Sequence, residues 1–214
     1  MAVIRHVPAS ILFCRRSPFW KRVMDIAGSL AAILFFGPLM LGVAIAVKLT
    51  SEGPIIFRQK RAGLGGKPFD FYKFRSMVVD AERHKRELAR FNERTGPVFK
   101  MTNDPRVTPI GKFIRKWSLD ELPQFFNVLK GDMSLVGPRP PTLDEVEEYE
   151  IWQGRRLEVK PGITCLWQVT ARQDRDFERW VRLDIEYERR QSFLFDLKIL
   201  FMTPLAVISR KGAV

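Results

Sequence analysis

Two adjacent carboxylates, Asp120 and Glu121, lie in a stretch that also carries Arg115 and Lys116 and is followed by Arg139 between two prolines. This combination suits phosphoryl chemistry, because one acid can attack phosphorus while another holds Mg²⁺ that is shared with substrate phosphates. Arginine side chains can bind the phosphate oxygens through two parallel hydrogen bonds. Alternatively, the two acids only complement the dipole at the start of a helix. The spacing alone leaves both interpretations open.

Composition and charge restrict the partners of the chain. Its 214 residues are 46% hydrophobic, which is enough for one substantial core, and its net charge is +12. Such an excess of positive charge favours nucleic acid, a membrane surface or phosphorylated substrates as partners. The two cysteines and two histidines are too few for a disulfide framework or a zinc site, so any metal is expected to be bound by oxygen.

An apolar run from Ile26 to Val47 contains no charged residue. A helix needs roughly 20 apolar residues to cross a bilayer, so the run is long enough to do so. The pair Gly37-Pro38 lies in its middle, and proline removes a helical hydrogen bond, so we expect a kink or break near Phe36. A cleavable signal peptide is not favoured, because the run begins late and lacks a small-residue cleavage site.

Basic residues flank this run on both sides, including Lys21 and Arg22 before it and Lys48 and Arg58 after it. By the positive-inside rule both flanks are cytoplasmic, which a single span cannot satisfy. The sequence therefore predicts a re-entrant membrane helix broken at Pro38. The alternatives are a kinked single span and a buried helix of a soluble domain. The predicted organisation is a basic segment over residues 1–22, the membrane helix over 23–49 and a catalytic domain over 50–214.

The remaining chain predicts an α+β fold that is mainly helical, with a small β-hairpin and interfacial amphipathic helices. The strands of the hairpin are expected around the glycine-rich turn at 63–68. Ser118 and Glu121 have the spacing of a capping box, which predicts a helix that continues to Lys130 and ends at Gly131. Further helices are expected at Val79–Asn92, Leu143–Tyr149, Phe177–Arg190 and Phe193–Ile208, the last in the membrane interface or in the core.

The run from Trp117 to Pro140 closely resembles the bacterial sugar transferases known as monotopic phosphoglycosyl transferases, or polyprenyl-phosphate sugar-1-phosphate transferases. The resemblance covers the chain from about Lys21 to the C-terminus. It includes the segments Lys21–Asp25, Gly53–Phe57, Tyr72–Met77, Lys160–Thr164 and Asp196–Leu200.

This resemblance implies an enzyme of the bacterial inner membrane, with its catalytic domain on the cytoplasmic face. It would move a sugar-1-phosphate from a UDP-sugar to polyprenyl phosphate and release UMP, initiating exopolysaccharide, capsule or O-antigen synthesis. In the family, the acid that matches Asp120 is the nucleophile and forms a phosphoryl-aspartate, and the acid that matches Glu121 binds Mg²⁺. The implied substrate-binding residues are Lys73, Arg115, Pro138, Arg139 and Pro140, and the implied helix break is Pro38.

Two departures from the family pattern concern the membrane helix and the sugar. Gly37 stands where relatives often have serine before the proline, and Cys165-Leu166-Trp167-Gln168 stands where many have Gly-Trp-Ala-Gln. The second departure leaves the sugar preference open. Relatives also occur as longer chains with additional membrane helices, so the chain resembles the minimal catalytic form.

Two other functions were weighed against this resemblance. A nucleic-acid-binding membrane protein would account for the net charge and for the arginines interleaved with aromatic residues around 172–190. A non-catalytic basic membrane scaffold would account for the apolar run but not for the paired acids. The sequence therefore favours a UDP-sugar, polyprenyl phosphate and membrane lipids as partners, without nucleic acid, and is compatible with a homodimer.

Overall fold

A single long helix, α1 (Phe19–Thr50), contains the whole apolar run. The computed structural model describes residues 14–209, without the side chains of residues 85 and 86, so most of the basic segment expected over 1–22 lies outside the described residues. Helix α1 begins four residues before the predicted start at residue 23 and runs through Pro38. The helix is therefore not divided into two at Pro38, because the loss of one backbone donor does not interrupt the helical turns on either side, and a kink there stays a prediction.

Within residues 14–209, α1 is the one helix that is long and apolar enough to cross a membrane, with a mean hydropathy of 2.5 over a window that is only 11% buried. Its central side chains are exposed, since Leu34 and Phe35 are 80% and 77% accessible. An apolar surface of this kind is typical of a segment that lies in lipid. Membrane association thus agrees with the structure.

Both ends of α1 pack against the same globular body. Near its start, Arg22 donates hydrogen bonds to the carbonyls of Val128 and Leu129, each over 2.7 Å. Near its end, Val43 and Val47 are buried in a cluster on the same body. Between Ser29 and Val43 no residue of α1 is buried, so the centre of the helix is left for a bilayer to surround.

The predicted hairpin is confirmed. Strands β1 (Ile56–Ala62) and β2 (Pro68–Phe74) pair antiparallel, with Ile56 opposite Phe74 and Ala62 opposite Pro68. The turn between them contains Gly65 and Gly66 at φ values of 64° and 73°. Side chains rarely adopt this left-handed conformation, so glycine is needed there.

A second sheet was not predicted. Strands β3 (Ser134–Val136) and β4 (Gly162–Thr164) pair in parallel. The start of β4 lies against the residue that follows β3. A Cβ atom on Gly162 would lie only 2.1 Å from the backbone nitrogen of Gly137, so glycine is needed there. Strands of three residues are too short to give a hydrophobic period that can be recognised.

The helical prediction at 118–130 is right at its end and wrong at its start. Ser118 has φ 55° and makes no capping hydrogen bond, and Leu119–Glu121 form a 3-10 turn before helix α4 (Gln124–Lys130). The expected capping box fails because the Glu121 carboxylate binds Lys73 instead. As predicted, α4 ends at Gly131, which has φ 91°.

The remaining helices surround these sheets. The charged helix expected at Val79–Asn92 is shorter, and the helix expected at Leu143–Tyr149 ends two residues early, whereas those at Phe177–Arg190 and Phe193–Ile208 have the predicted bounds. They are α2 (Ala81–Leu88), α3 (Pro109–Lys116), α5 (Leu143–Glu147), α6 (Ile151–Gly154), α7 (Leu166–Thr170), α8 (Phe177–Arg190) and α9 (Phe193–Ile208).

The main core lies between β2, α4, the second sheet and the last three helices. Its buried members include Phe71, Val128, Leu135 and Ile199. Helix α9 contributes to the core through Ile199, which is completely buried, whereas Phe201 is 72% exposed, and a place in the membrane interface stays a prediction. Its outer face is therefore apolar and accessible, close to the start of α1, where Trp20 contacts Phe193.

Candidate active site

Asp120 and Glu121 lie on the 3-10 turn between α3 and α4, and Lys73 reaches them from β2. The Lys73 Nζ atom is 2.7 Å from Glu121 Oε1 and 3.6 Å from Asp120 Oδ2. The left-handed backbone at Ser118 redirects the chain immediately before the acids. One lysine therefore holds both carboxylates, although helices α2 and α3 lie between it and them in the sequence.

The two acids differ in their electrostatics. Burial raises the pKa of Asp120, and the neighbouring Glu121 charge adds to this effect while Lys73 opposes it. Burial would also raise the pKa of Glu121, but the charge and hydrogen bond of Lys73 outweigh it, so this pKa lies below its ordinary value. Glu121 is thus the ionised partner of Lys73. Lys73 is farther from Asp120, so it stabilises the negative charge of Asp120 less.

Arg139 projects from a rigid loop. The flanking Pro138 and Pro140 are buried, whereas Arg139 is exposed. The loop carbonyls are fixed from several directions: Gly162 N donates to Pro138 O over 2.9 Å and Arg61 Nη1 donates to Pro140 O over 2.7 Å. The loop therefore presents one guanidinium group at a fixed place.

These residues line one cleft of about 420 Å³. The structure brings together Asp120, Glu121, Lys73, Arg115 and Arg139, as the sequence predicts. The buried Pro138 and Pro140 are not among the residues that line the cleft, so their contribution is to hold Arg139. Nine lysines and arginines and five acids line it, which leaves an excess of positive charge for an anionic ligand.

Other cations of the cleft were not predicted from the sequence. They are Arg61, Arg75, Arg94, Lys100, Arg106 and Arg172. Burial, followed by the charges of Arg94 and Arg172, lowers the pKa of Lys100 to about 8. The charges of Arg139 and Arg172 lower the pKa values of both Glu121 and Lys100, and all four residues line the same cleft. The only sequence signal for these residues is the overall excess of arginine.

The acid pair also suits a hard metal ion. Within residues 14–209, no group of three or more histidine, cysteine or acidic side chains is placed to hold a metal. Mg²⁺ does not need such a group, because it is usually bound by one or two carboxylates together with water and substrate phosphates. Glu121 can supply such an oxygen donor, and Mg²⁺ at Glu121 stays a prediction.

The fold combines a long apolar helix with a cleft that carries an excess of positive charge. The chain belongs to the bacterial sugar transferase family, whose model matches residues 16–210. The resemblance that the sequence gives is thus confirmed.

Three relatives illustrate the match. Galactosyl transferase CpsE of Streptococcus agalactiae is 50% identical over 90% of this chain and 43% of its own length. An undecaprenyl-phosphate galactose phosphotransferase of Salmonella typhimurium is 45% identical over 93% of this chain and 42% of its own length. Exopolysaccharide production protein ExoY of Rhizobium meliloti is 38% identical over 90% of this chain and 87% of its own length. The chain thus spans less than half of the first two relatives and most of the third.

Arg139→Lys is expected to lower kcat/KM, because an ammonium group cannot reproduce the planar fork by which a guanidinium group binds phosphate oxygens. The loss of one charge-assisted hydrogen bond is worth about 1.5–3 kcal/mol, or about 10- to 150-fold. Steady-state kinetics measure the effect, with Arg189→Lys on the exposed face of α8 as the control. Near-normal efficiency of Arg139→Lys would assign the loop a structural role only.

Proposed function

We propose that the protein transfers a sugar-1-phosphate from a UDP-sugar to membrane polyprenyl phosphate and releases UMP, as the first membrane step of surface glycan synthesis. The observation that carries the proposal is the acid pair held by Lys73 in a cleft with excess positive charge. The similarity to an undecaprenyl-phosphate galactose phosphotransferase supports the same chemistry.

The reaction has two steps at one phosphorus atom. A carboxylate oxygen of Asp120 attacks the phosphorus that bears the sugar, and the bond from that phosphorus to the UMP oxygen breaks. The sugar phosphate is then an acyl phosphate on Asp120. A phosphate oxygen of the polyprenyl carrier attacks the same phosphorus, which releases the Asp120 carboxylate and forms the sugar-diphosphate lipid. Splitting one transfer into two in this way is the function of a covalent nucleophile.

The neighbouring residues stabilise charge around this phosphorus. Lys73 lies between the two carboxylates and keeps them close together despite their mutual repulsion. Arg139 is placed to bind phosphate oxygens bidentately. Glu121 would hold Mg²⁺, which would neutralise part of the negative charge of the diphosphate.

The acid pair is attached directly to the membrane helix. Leu119 and Leu122, on either side of the acids, pack on the cluster formed by Val43 and Val47 of α1. Arg75, which directly follows β2, connects that strand to the same end of α1, since its Nη2 atom donates to Ser51 O over 2.7 Å. Asp120 therefore lies close to the point at which α1 leaves the lipid, where the phosphate of a polyprenyl carrier is found. This supports an acceptor that stays in the membrane.

We propose further that α1 is re-entrant and that the catalytic domain lies on the cytoplasmic face of the inner membrane. Both ends of α1 pack on one body, and a body on one side of a bilayer can hold both ends only if the exposed centre returns to the side from which it entered. Pro38 lies in that centre and lacks the backbone donor that would stiffen it. Basic residues flank both ends, which agrees with a common cytoplasmic side.

Pro38→Leu is expected to move part of the population to a spanning form, because it restores the backbone donor that Pro38 lacks and so favours a straight apolar helix that is long enough to cross the bilayer. Single cysteines introduced by Arg16→Cys and Lys67→Cys, in a background without Cys14 and Cys165, report topology through a membrane-impermeant thiol reagent. In the parent protein both sites are expected to react only after the cells are opened. With Pro38→Leu, position 16 should react in intact cells, and the neighbouring Leu39→Ala should not have this effect. Reaction of position 16 alone in the parent protein would refute re-entry.

The activity itself is tested by incubating the purified full chain with Mg²⁺, polyprenyl phosphate and a panel of UDP-sugars. Release of UMP together with formation of a sugar-diphosphate lipid is the expected result. A membrane scaffold or a nucleic-acid-binding protein would give neither product. Absence of both products with every sugar in the panel would contradict the proposed function.

A further inference from the structure

Arg61 is a buried cation on β1 that lines the cleft and that neither the sequence motifs nor the proposed mechanism uses. It is only 9% exposed. Its Nε and Nη2 atoms both donate to Gln59 Oε1, over 3.0 and 2.8 Å, and its Nη1 atom donates to Pro140 O over 2.7 Å. The guanidinium plane also lies 5.0 Å from the Phe71 ring. The side chain is therefore fixed in one position.

This fixed guanidinium group has donors to spare. Of its five N–H groups, three are used in the bonds just described, counted over residues 14–209. Gln59, which orients it, is held in turn by Glu82, to which it donates over 3.3 Å. A side chain that is oriented by its neighbours and still has free donors at a cleft wall is suited to bind a ligand.

Arg61 also lacks the counter-ion that other buried cations have. Lys21, Arg106 and Arg156 each form an ion pair with a buried aspartate. Buried Arg75 lacks such a pair, but oxygens of Pro54, Val47 and Ser51 accept from both of its Nη atoms. In the described part of the chain, no carboxylate lies within 4.0 Å of Arg61.

The positive charge of Arg139 adds to the uncompensated charge at Arg61. Burial, followed by the positive charge of Arg139, lowers the pKa of Arg61 to about 10, and the acids that oppose this effect, Glu145, Glu121 and Glu82, are too distant for an ion pair. Arg61 is buried, and the exposed Arg139 lies one residue before Pro140, whose carbonyl accepts from Arg61. A buried cation is costly without an anion. A phosphate group between them would supply the missing negative charge.

We propose that Arg61 is a second phosphate-binding residue, which acts with Arg139 on a phosphate group of a substrate. The inference rests on the proposed function, because the phosphate can come from the sugar nucleotide or from the polyprenyl carrier. In either case the guanidinium group donates its unused N–H groups to phosphate oxygens. Arg61 is distinct from Lys73, which binds the acids and not the proposed phosphate.

The test compares Arg61→Gln and Arg61→Lys with Arg58→Gln, an exposed arginine of the same strand. Calorimetry measures binding of UMP and of uridine, which lacks the phosphate, and kinetics measure KM for the UDP-sugar and for polyprenyl phosphate. We expect a loss of at least about 10-fold for UMP or for polyprenyl phosphate, with uridine binding unchanged. The ligand that loses affinity identifies the source of the phosphate.

A role for Arg61 in only positioning the Arg139 loop gives a different result. Arg61→Gln is therefore also measured in the background of Arg139→Gln, where a residue that acts through Arg139 has nothing further to lose. An additional loss of at least about 10-fold supports direct phosphate binding, and no additional loss overturns it. Arg61→Lys keeps the charge and provides the comparison if Arg61→Gln does not fold.

These outcomes are separate from those of the proposed function. Suppose that the parent protein releases UMP and that both Arg61 variants bind UMP and polyprenyl phosphate as well as Arg58→Gln does. The inference about Arg61 is then wrong, and the proposed function is unaffected. If the parent protein releases no UMP with any UDP-sugar, the proposed function fails first.

Discussion

Asp120→Asn is expected to lower turnover by at least about a thousandfold, the scale on which enzymes lose activity without their nucleophile. The amide is nearly isosteric with the carboxylate but cannot attack phosphorus. Because Asp120 is only 7% exposed and its burial raises its pKa, a neutral side chain is also well accommodated there. The substitution should therefore leave the thermal unfolding midpoint close to that of the parent protein.

The measurement is UMP release together with mass spectrometry of the protein after denaturation. With a UDP-sugar and no lipid acceptor, the parent protein should gain the mass of a sugar phosphate on the peptide that contains Asp120, and Asp120→Asn should not. Glu121→Gln keeps the nucleophile and should still be labelled, although slowly and with an altered Mg²⁺ requirement. Asp144→Asn on the exposed surface of α5 is the control for a lost carboxylate. Substantial UMP release by Asp120→Asn would reject the covalent mechanism.

The sequence was sufficient for the parts of the fold that local patterns determine. The apolar run gave α1, the glycine turn gave the hairpin, and the amphipathic spacing from Phe177 to Arg190 gave α8. The acid pair, Lys73 and Arg139 were identified through a motif whose members share one cleft. These features depend on residues that are close together in the sequence or on a family motif that the sequence contains.

Features that depend on distant contacts were missed or wrong. Glu121 was expected to cap a helix, but Lys73, on another element, takes its carboxylate. The parallel pair β3 and β4 needs two segments that meet only in the folded protein. Arg61 gave no signal, because its importance comes from lying beside Pro140 and from lacking an acidic neighbour. Propensity and periodicity carry no information about such encounters.

The contact between Lys21 and Asp196 is of the same long-range kind, and it leads to the second large prediction. The Lys21 side chain is 1% exposed, and its ammonium group donates to Asp196 Oδ2 over 2.5 Å, to Val136 O over 2.9 Å and to Tyr187 Oη over 3.0 Å. All three of its donors are therefore used. Through them the start of α1 is bound to α9, to α8 and to β3, immediately before the loop that carries Arg139.

Lys21→Met is expected to lower the free energy of unfolding by about 3–5 kcal/mol, because it leaves the Asp196 carboxylate buried without its counter-ion. Denaturant unfolding in detergent measures the change, and Lys48→Met at the exposed end of the same helix should have little effect. The double variant Lys21→Met with Asp196→Leu removes both charges and should recover much of the loss, since an apolar replacement of a buried ion pair is often tolerated. A loss below about 1 kcal/mol for Lys21→Met would contradict the role of this pair. Val136 ends β3 and directly precedes the loop that carries Arg139, so Lys21→Met should also lower kcat/KM. Such a loss would connect the anchoring of α1 to the geometry of the active site.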